Sequence, residues 1–84
     1  MRVEFLGLPR KRTGVDELEL QAETLGQLLS TLAVRFPALG DLMDSGRLPS
    51  QILANLNGNR FVTDPSTRLN DSDCVLILSA DAGG

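Results

Sequence analysis

Few residues of this 84-residue sequence are equipped for chemistry. It contains no His, which removes the commonest general base and metal ligand. A single cysteine, Cys74, excludes an internal disulfide, a CxxC redox pair, a cysteine-type zinc site and a four-cysteine iron–sulfur cluster. Cys74 opens an apolar run at the far end from the carboxyl terminus, and reads as a small hydrophobe more than as a sulfur-handling group. The carboxylates are scattered over polar faces and turns and suggest no acid–base pair. What remains is the end of the chain, Gly83-Gly84. With Gly near 7% of residues, two in a row at a chosen place arise by chance in about 0.5% of chains. The rest of the chain then reads as a small scaffold holding a flexible carboxyl terminus out into solvent. The bland alternative is a frayed end.

Composition narrows the function class in the same direction. A chain of this length makes one domain and buries only about 60–65% of its unfolded surface, leaving no room for a separate catalytic domain. The net charge of −3 and three Phe placed in strand and helix patterns argue against nucleic-acid binding. The longest apolar run, Cys74 to Leu78, is far short of the ~20 residues of a membrane span. The sequence starts in a strand-like pattern with no signal-peptide hydrophobic region, so a cytoplasmic location and no membrane partner are expected. A carrier or binding module is favoured over an enzyme, with no bound cofactor and no metal.

The elements that must position the terminus follow from periodicity. Met1 to Leu8 alternates, with Met1, Val3 and Phe5 on one face and Arg2 and Glu4 on the other; Leu6 falls on the polar face. Pro9 to Gly14 reads as a turn, and Val15 to Ala22 as a second alternating strand, giving an antiparallel hairpin. Arg10-Lys11-Arg12 is the one basic cluster, either a solvated loop or part of a docking surface for an acidic partner. Thr24 and Gln27 match a capping box, and Leu25, Leu28, Leu29, Leu32 and Phe36 form a helical stripe that Pro37 ends. Gly26 weakens that helix by up to ~1 kcal/mol relative to Ala. Leu39, Leu42 and Met43 suggest a short helical turn in the connection from Ala38 to Ser50. Ile52, Ala54 and Leu56 form a third strand, Asn57-Gly58 a tight turn, and Arg60 to Val62 a short returning strand. The last strand, Cys74 to Ser79, is apolar on both faces and therefore central in its sheet. One helix over a mixed sheet of four to five strands is an α+β roll, and a last strand parallel to the first makes it a β-grasp. The domain spans residues 1–78 and the tail residues 79–84.

These residues resemble the ubiquitin-like sulfur carriers of the MoaD/ThiS family, MoaD more closely. The resemblance runs through Phe5 to Arg10, Glu23 to Leu29, Leu56-Asn57, Leu69 to Asp73 and the Gly-Gly end. Two positions depart: Ser72 stands where the family usually has Gly, and Ser79-Ala-Asp-Ala82 stands where many members have proline. The resemblance implies that an E1-like adenylyltransferase of the MoeB/ThiF type uses Mg-ATP to adenylate the Gly84 carboxylate. The acyl-adenylate becomes a thiocarboxylate, which donates sulfur on an acceptor enzyme such as the molybdopterin synthase large subunit or thiazole synthase. Ala82 and Gly83 belong to the tail that threads into those partners, since backbone without Cβ passes where a side chain would obstruct. A protein modifier joined to lysines through Gly84, and a non-covalent β-grasp adaptor, are the alternatives.

A floppy tail loses ~1–2 kcal/mol of entropy per residue fixed, so the body must offer a separate interface. The sheet face opposite the helix has no intrachain partner. By strand parity its apolar residues are Leu6, Leu76 and Leu78, with Phe61 joining if its strand is in register, and Arg10 nearby. They form either rim core or an exposed docking patch.

Overall fold

The computed structural model describes residues 1–43 and 46–81. In chain order it contains β1 (Arg2–Leu6), α1 (Leu8–Thr13), β2 (Glu17–Glu19), α2 (Leu25–Arg35), a 3-10 turn (Pro37–Leu39), α3 (Gly40–Met43), β3 (Ile52–Leu56), β4 (Arg60–Phe61) and β5 (Cys74–Ser79). The sheet order is β2-β1-β5-β3-β4. β5 lies at its centre, parallel to β1 and antiparallel to β3, while β2 and β4 pair antiparallel on the two edges. This is the expected ubiquitin-like β-grasp roll.

The core fills the space between the sheet and α2. Met1, Val3, Phe5, Ile52, Ala54, Leu56, Val75 and Ile77 point from the sheet into the leucines of α2, and Leu39, Leu42 and Met43 close one edge. Phe36, at the end of α2, meets Phe5 edge-to-face with ring centroids 6.0 Å apart. Thr24 caps α2 by accepting from the Gln27 N–H at 3.2 Å. The Gln27 side chain reaches back to the Glu23 N–H at 2.6 Å, one residue before the cap. Gly26 has a packing reason: a Cβ there would lie 3.1 Å from Pro65 Cβ and 3.2 Å from its carbonyl oxygen. Asn57 and Gly58 both take positive φ, the conformation of a primed tight turn. The Asn57 amide then fastens this turn to β5, donating to Asp73 at 3.0 Å and accepting from the Cys74 N–H at 2.8 Å.

Two elements differ from their sequence expectation. Residues 9–14 are not a simple turn: Leu8 to Thr13 form the six-residue helix α1. Gly7, at φ 72°, bends the chain out of β1, Pro9 sits in the first turn where its missing N–H is no loss, and Gly14 ends the helix in the left-handed region. The second strand is short, only Glu17–Glu19, because regular pairing with β1 covers three residues; single bonds from Phe5 N to Asp16 O and Leu20 N to Met1 O continue it on either side.

Candidate functional site

The register across the open face sets out its rows. Leu6 on β1, Leu78 on β5 and Leu53 on β3 are direct cross-strand partners. The next row runs Glu17, Glu4, Leu76, Asn55, Phe61, and the next pairs Glu19, Arg2 and Cys74. The face therefore divides. One half is apolar, built from Leu6, Leu53, Leu76, Leu78 and Phe61. The other is charged, with Arg2 Nε 3.5 Å from Glu4 and 3.8 Å from Glu17. Because β1 and β5 run parallel, the leucine row lies at the end of the sheet from which the chain leaves β5.

Within the apolar half, exposure is uneven. Phe61 is 60% exposed on the edge and Leu6 39%. Leu76 and Leu53 are half-buried. Leu78 departs from the expected exposure: it is buried, at 4%. It sits on the central strand with a leucine directly opposite on each neighbour, and such side chains stand close enough to shield its flanks. Leu53 was missed by the sequence reading. Its signal was the one that flagged Leu6, an apolar residue on the strand face opposite the core positions Ile52, Ala54 and Leu56.

The exit from the sheet is pinned. Ser79, at the expected boundary between domain and tail, is the last residue of β5 and buried; its Oγ accepts from the Leu8 N–H at 3.2 Å. The Ala80 N–H donates to Gln51 O at 2.8 Å. Gly7, Leu8, Lys11, Gln51, Ser79, Ala80 and Asp81 line an open groove of about 510 Å³ there. The expected tail residues Ala82, Gly83 and Gly84 lie outside the described residues. Arg10 stands on α1, half exposed, with its Nε 2.7 Å from Asp16. Arg12 donates to Ala38 O at 2.8 Å and to Asp41 at 2.9 Å, tying α1 to the segment after α2. Arg10 and Arg12 are thus held by intrachain partners among the described residues.

Cys74 is not in the core. It is half-buried on the open face, with Sγ 3.5 Å from Glu4 Oε1. It opens β5, about 16 Å of strand away from Ser79 at ~3.3 Å per residue. Among the described residues no group of three potential ligands could hold a metal ion, and no helix is long and apolar enough to cross a membrane. Asp73 and Asp64 have lowered pKa values. Asp73 is held down by the Asn57 amide and then the Asn70 N–H, and Asp64 by the N–H and hydroxyl of Ser66. Both fasten loops and neither faces the groove.

Comparison with known proteins gives the following. The profile of the ThiS family matches residues 3–84. No curated protein matches. Among solved structures, the small archaeal modifier protein 1 of Methanosarcina acetivorans superposes with a TM-score of 0.80 at 29% identity, over 99% of this chain and 94% of that one. CysO of Mycobacterium tuberculosis superposes with a TM-score of 0.76 at 26% identity, over 94% and 97%. The BexX/CysO complex of Amycolatopsis orientalis matches with a TM-score of 0.78 at 23% identity, over 99% and 98%, a likeness of fold.

Proposed function

Because the chain belongs to the ThiS family, we propose that it is a sulfur carrier whose Gly84 carboxyl is the working group. The carboxylate attacks the α-phosphorus of Mg-ATP on an E1-like enzyme of the MoeB/ThiF type, and pyrophosphate leaves. Sulfide sulfur then attacks the carbonyl carbon, the C–O bond to phosphorus breaks, and AMP departs to leave a thiocarboxylate. The adenylation matters because a bare carboxylate is a poor electrophile with no good leaving group. The thiocarboxylate donates its sulfur in cofactor biosynthesis, with the large subunit of molybdopterin synthase as the first acceptor to test and thiazole synthase the second. In this cycle the chain is substrate and carrier, and ATP, metal and catalytic cysteines belong to partners.

The observation that carries the reading is the placement of the apolar half of the open face. Its leucine row, Leu6–Leu78–Leu53, lies at the end of the sheet that leads into the Gly-Gly terminus. A partner gripping that face receives the tail directly. The CysO of A. orientalis, of like fold, is seen in complex with BexX, which fits a carrier that works on a partner protein. The test is the intact mass of the chain co-expressed with its activating enzyme. Replacement of one oxygen by sulfur, lost on deleting Gly84, is expected; no adenylate or thiocarboxylate with any activating enzyme sinks the reading. Retained function without Gly83-Gly84 would instead favour the non-covalent adaptor.

A second reading draws on the M. acetivorans protein, a modifier at 29% identity. The same acyl-adenylate can be passed to a lysine amine, and cell digests with Gly84 in isopeptide linkage would identify that use.

A further inference from the structure

Seven of the eight basic residues of this chain are arginines, and Lys11 is its sole lysine. The distinction is chemical: an arginine guanidinium stays protonated in proteins, whereas a lysine amine loses its proton and becomes a nucleophile. Lys11 is exposed on α1, and it lines the groove shared with Ser79, Ala80 and Asp81. The chain's other amine, at Met1, is turned inward. It donates to Leu20 O at 2.8 Å and lies 3.6 Å from Glu19, and Met1 itself is buried. From Asp81 to Gly84 is three residues, a reach of about 10 Å when extended. The sole lysine amine of the chain therefore lines the groove reached by Ser79, Ala80 and Asp81, the last residues described before Gly84.

We propose that Lys11 is the acylation site of this chain, the residue to which an activated Gly-Gly carboxyl is joined through an isopeptide bond. The inference rests on the activation step proposed above. The lysine amine, after giving one proton to solvent, attacks the carbonyl carbon of the Gly84 acyl-adenylate. A C–N bond forms, the C–O bond to phosphorus breaks, AMP leaves with the electron pair, and the nitrogen releases a second proton. The acyl group comes from the same copy or from a second one. The shared groove favours the same copy, because a tethered partner acts at an effective concentration of the order of millimolar.

The experiment incubates the whole chain with its activating enzyme and Mg-ATP, without a sulfur donor. Products are read by intact mass and by sequencing of tryptic peptides. Closure on the same copy gives one chain less one water; joining of two copies gives two chains less one water. In either case a Lys11 peptide branched with Leu69–Gly84 is expected. Lys11→Arg keeps the charge and the helix, and must lose the adduct while ATP–pyrophosphate exchange continues. An adduct that survives Lys11→Arg, or exchange with no adduct in the parent chain, overturns the proposal and leaves the carrier reading standing. A second arm presents Gly84 as a thioester prepared by intein cleavage, which needs no activating enzyme. If that thioester hydrolyses without marking Lys11, the proposal fails; if Lys11 is marked while no enzyme supports exchange, the acylation site stands and the carrier reading falls.

Discussion

Phe61→Ala separates a docking face from mere surface hydrophobicity. A phenylalanine presents about 200 Å² of burial, and 60% of Phe61 is exposed, leaving about 120 Å² for a partner to cover. At ~25 cal/mol/Å² the ceiling is ~3 kcal/mol. The remaining alanine keeps part of that area, and ordering the ring takes back some of the gain. A loss of ~2 kcal/mol is expected, about 30-fold in Kd. The assay is titration calorimetry of the chain against its activating enzyme, at a temperature where circular dichroism shows both variants folded. Val34 supplies the control. It is 83% exposed, more than Phe61, but lies on α2, which packs against the other face of the sheet. Val34→Ala should leave Kd unchanged. If Phe61→Ala shifts Kd no more than Val34→Ala does, the open face is not where the partner binds.

Other expectations follow from the packing. Leu53→Ala should weaken the same complex, since Leu53 completes the leucine row with Leu6 and Leu78; unaltered binding would restrict the patch to the β1–β5 side. Gly26→Ala gains ~1 kcal/mol of helix propensity but drives a methyl against the Pro65 carbonyl, and overpacking costs ~1–3 kcal/mol. A net loss of ~1 kcal/mol, or ~4–8 °C in Tm, should appear on thermal unfolding. Ile77→Ala empties a fully buried position on the central strand and should cost ~2–5 kcal/mol by urea titration. Acid sensitivity has a defined sign. The Asp64 and Asp73 carboxyls titrate below their unfolded value of 3.8, so their contribution is present above that pH and lost as pH falls through the folded values. Asp73→Asn should flatten the acid limb of a Tm-against-pH profile below the unfolded value of 3.8.

Much of the fold was legible because local chemistry and tertiary packing agree. The leucine stripe and Thr24 cap define α2, the Asn57-Gly58 pair turns as expected, and the two-sided apolar run of β5 marks the centre of the sheet. Helix α1 was missed although its marks were present: a proline at the start, glycines at 7 and 14, and helix-forming Arg and Lys between them. Six residues are too few for periodicity to speak, and an isolated helix of that length is not stable in water. It persists here because Arg12 binds Ala38 and Asp41, partners 26 and 29 residues away, which no local pattern reports.

The site divides in the same way. Strand parity put Leu6, Leu76 and Leu78 on the open face, because alternation is a property of each strand by itself, while Phe61 joined only through the Asn55–Phe61 register. The Gly-Gly end and the solitary lysine are likewise plain in the residues. How these parts stand to one another was decided only by tertiary structure. The parallel β1–β5 pairing and antiparallel β3–β5 pairing bring Leu53 beside Leu78, bury Leu78 between two leucines, and gather the apolar row at the end nearest the tail. The path of α1 sets Lys11 in the same groove as Asp81. The physical reason is that register joins residues far apart in the chain, as the Arg2–Cys74 and Leu6–Leu78 pairs of β1 and β5 do. A strand carries its own alternation, but which neighbour it meets, and at what offset, is settled by how the whole core packs.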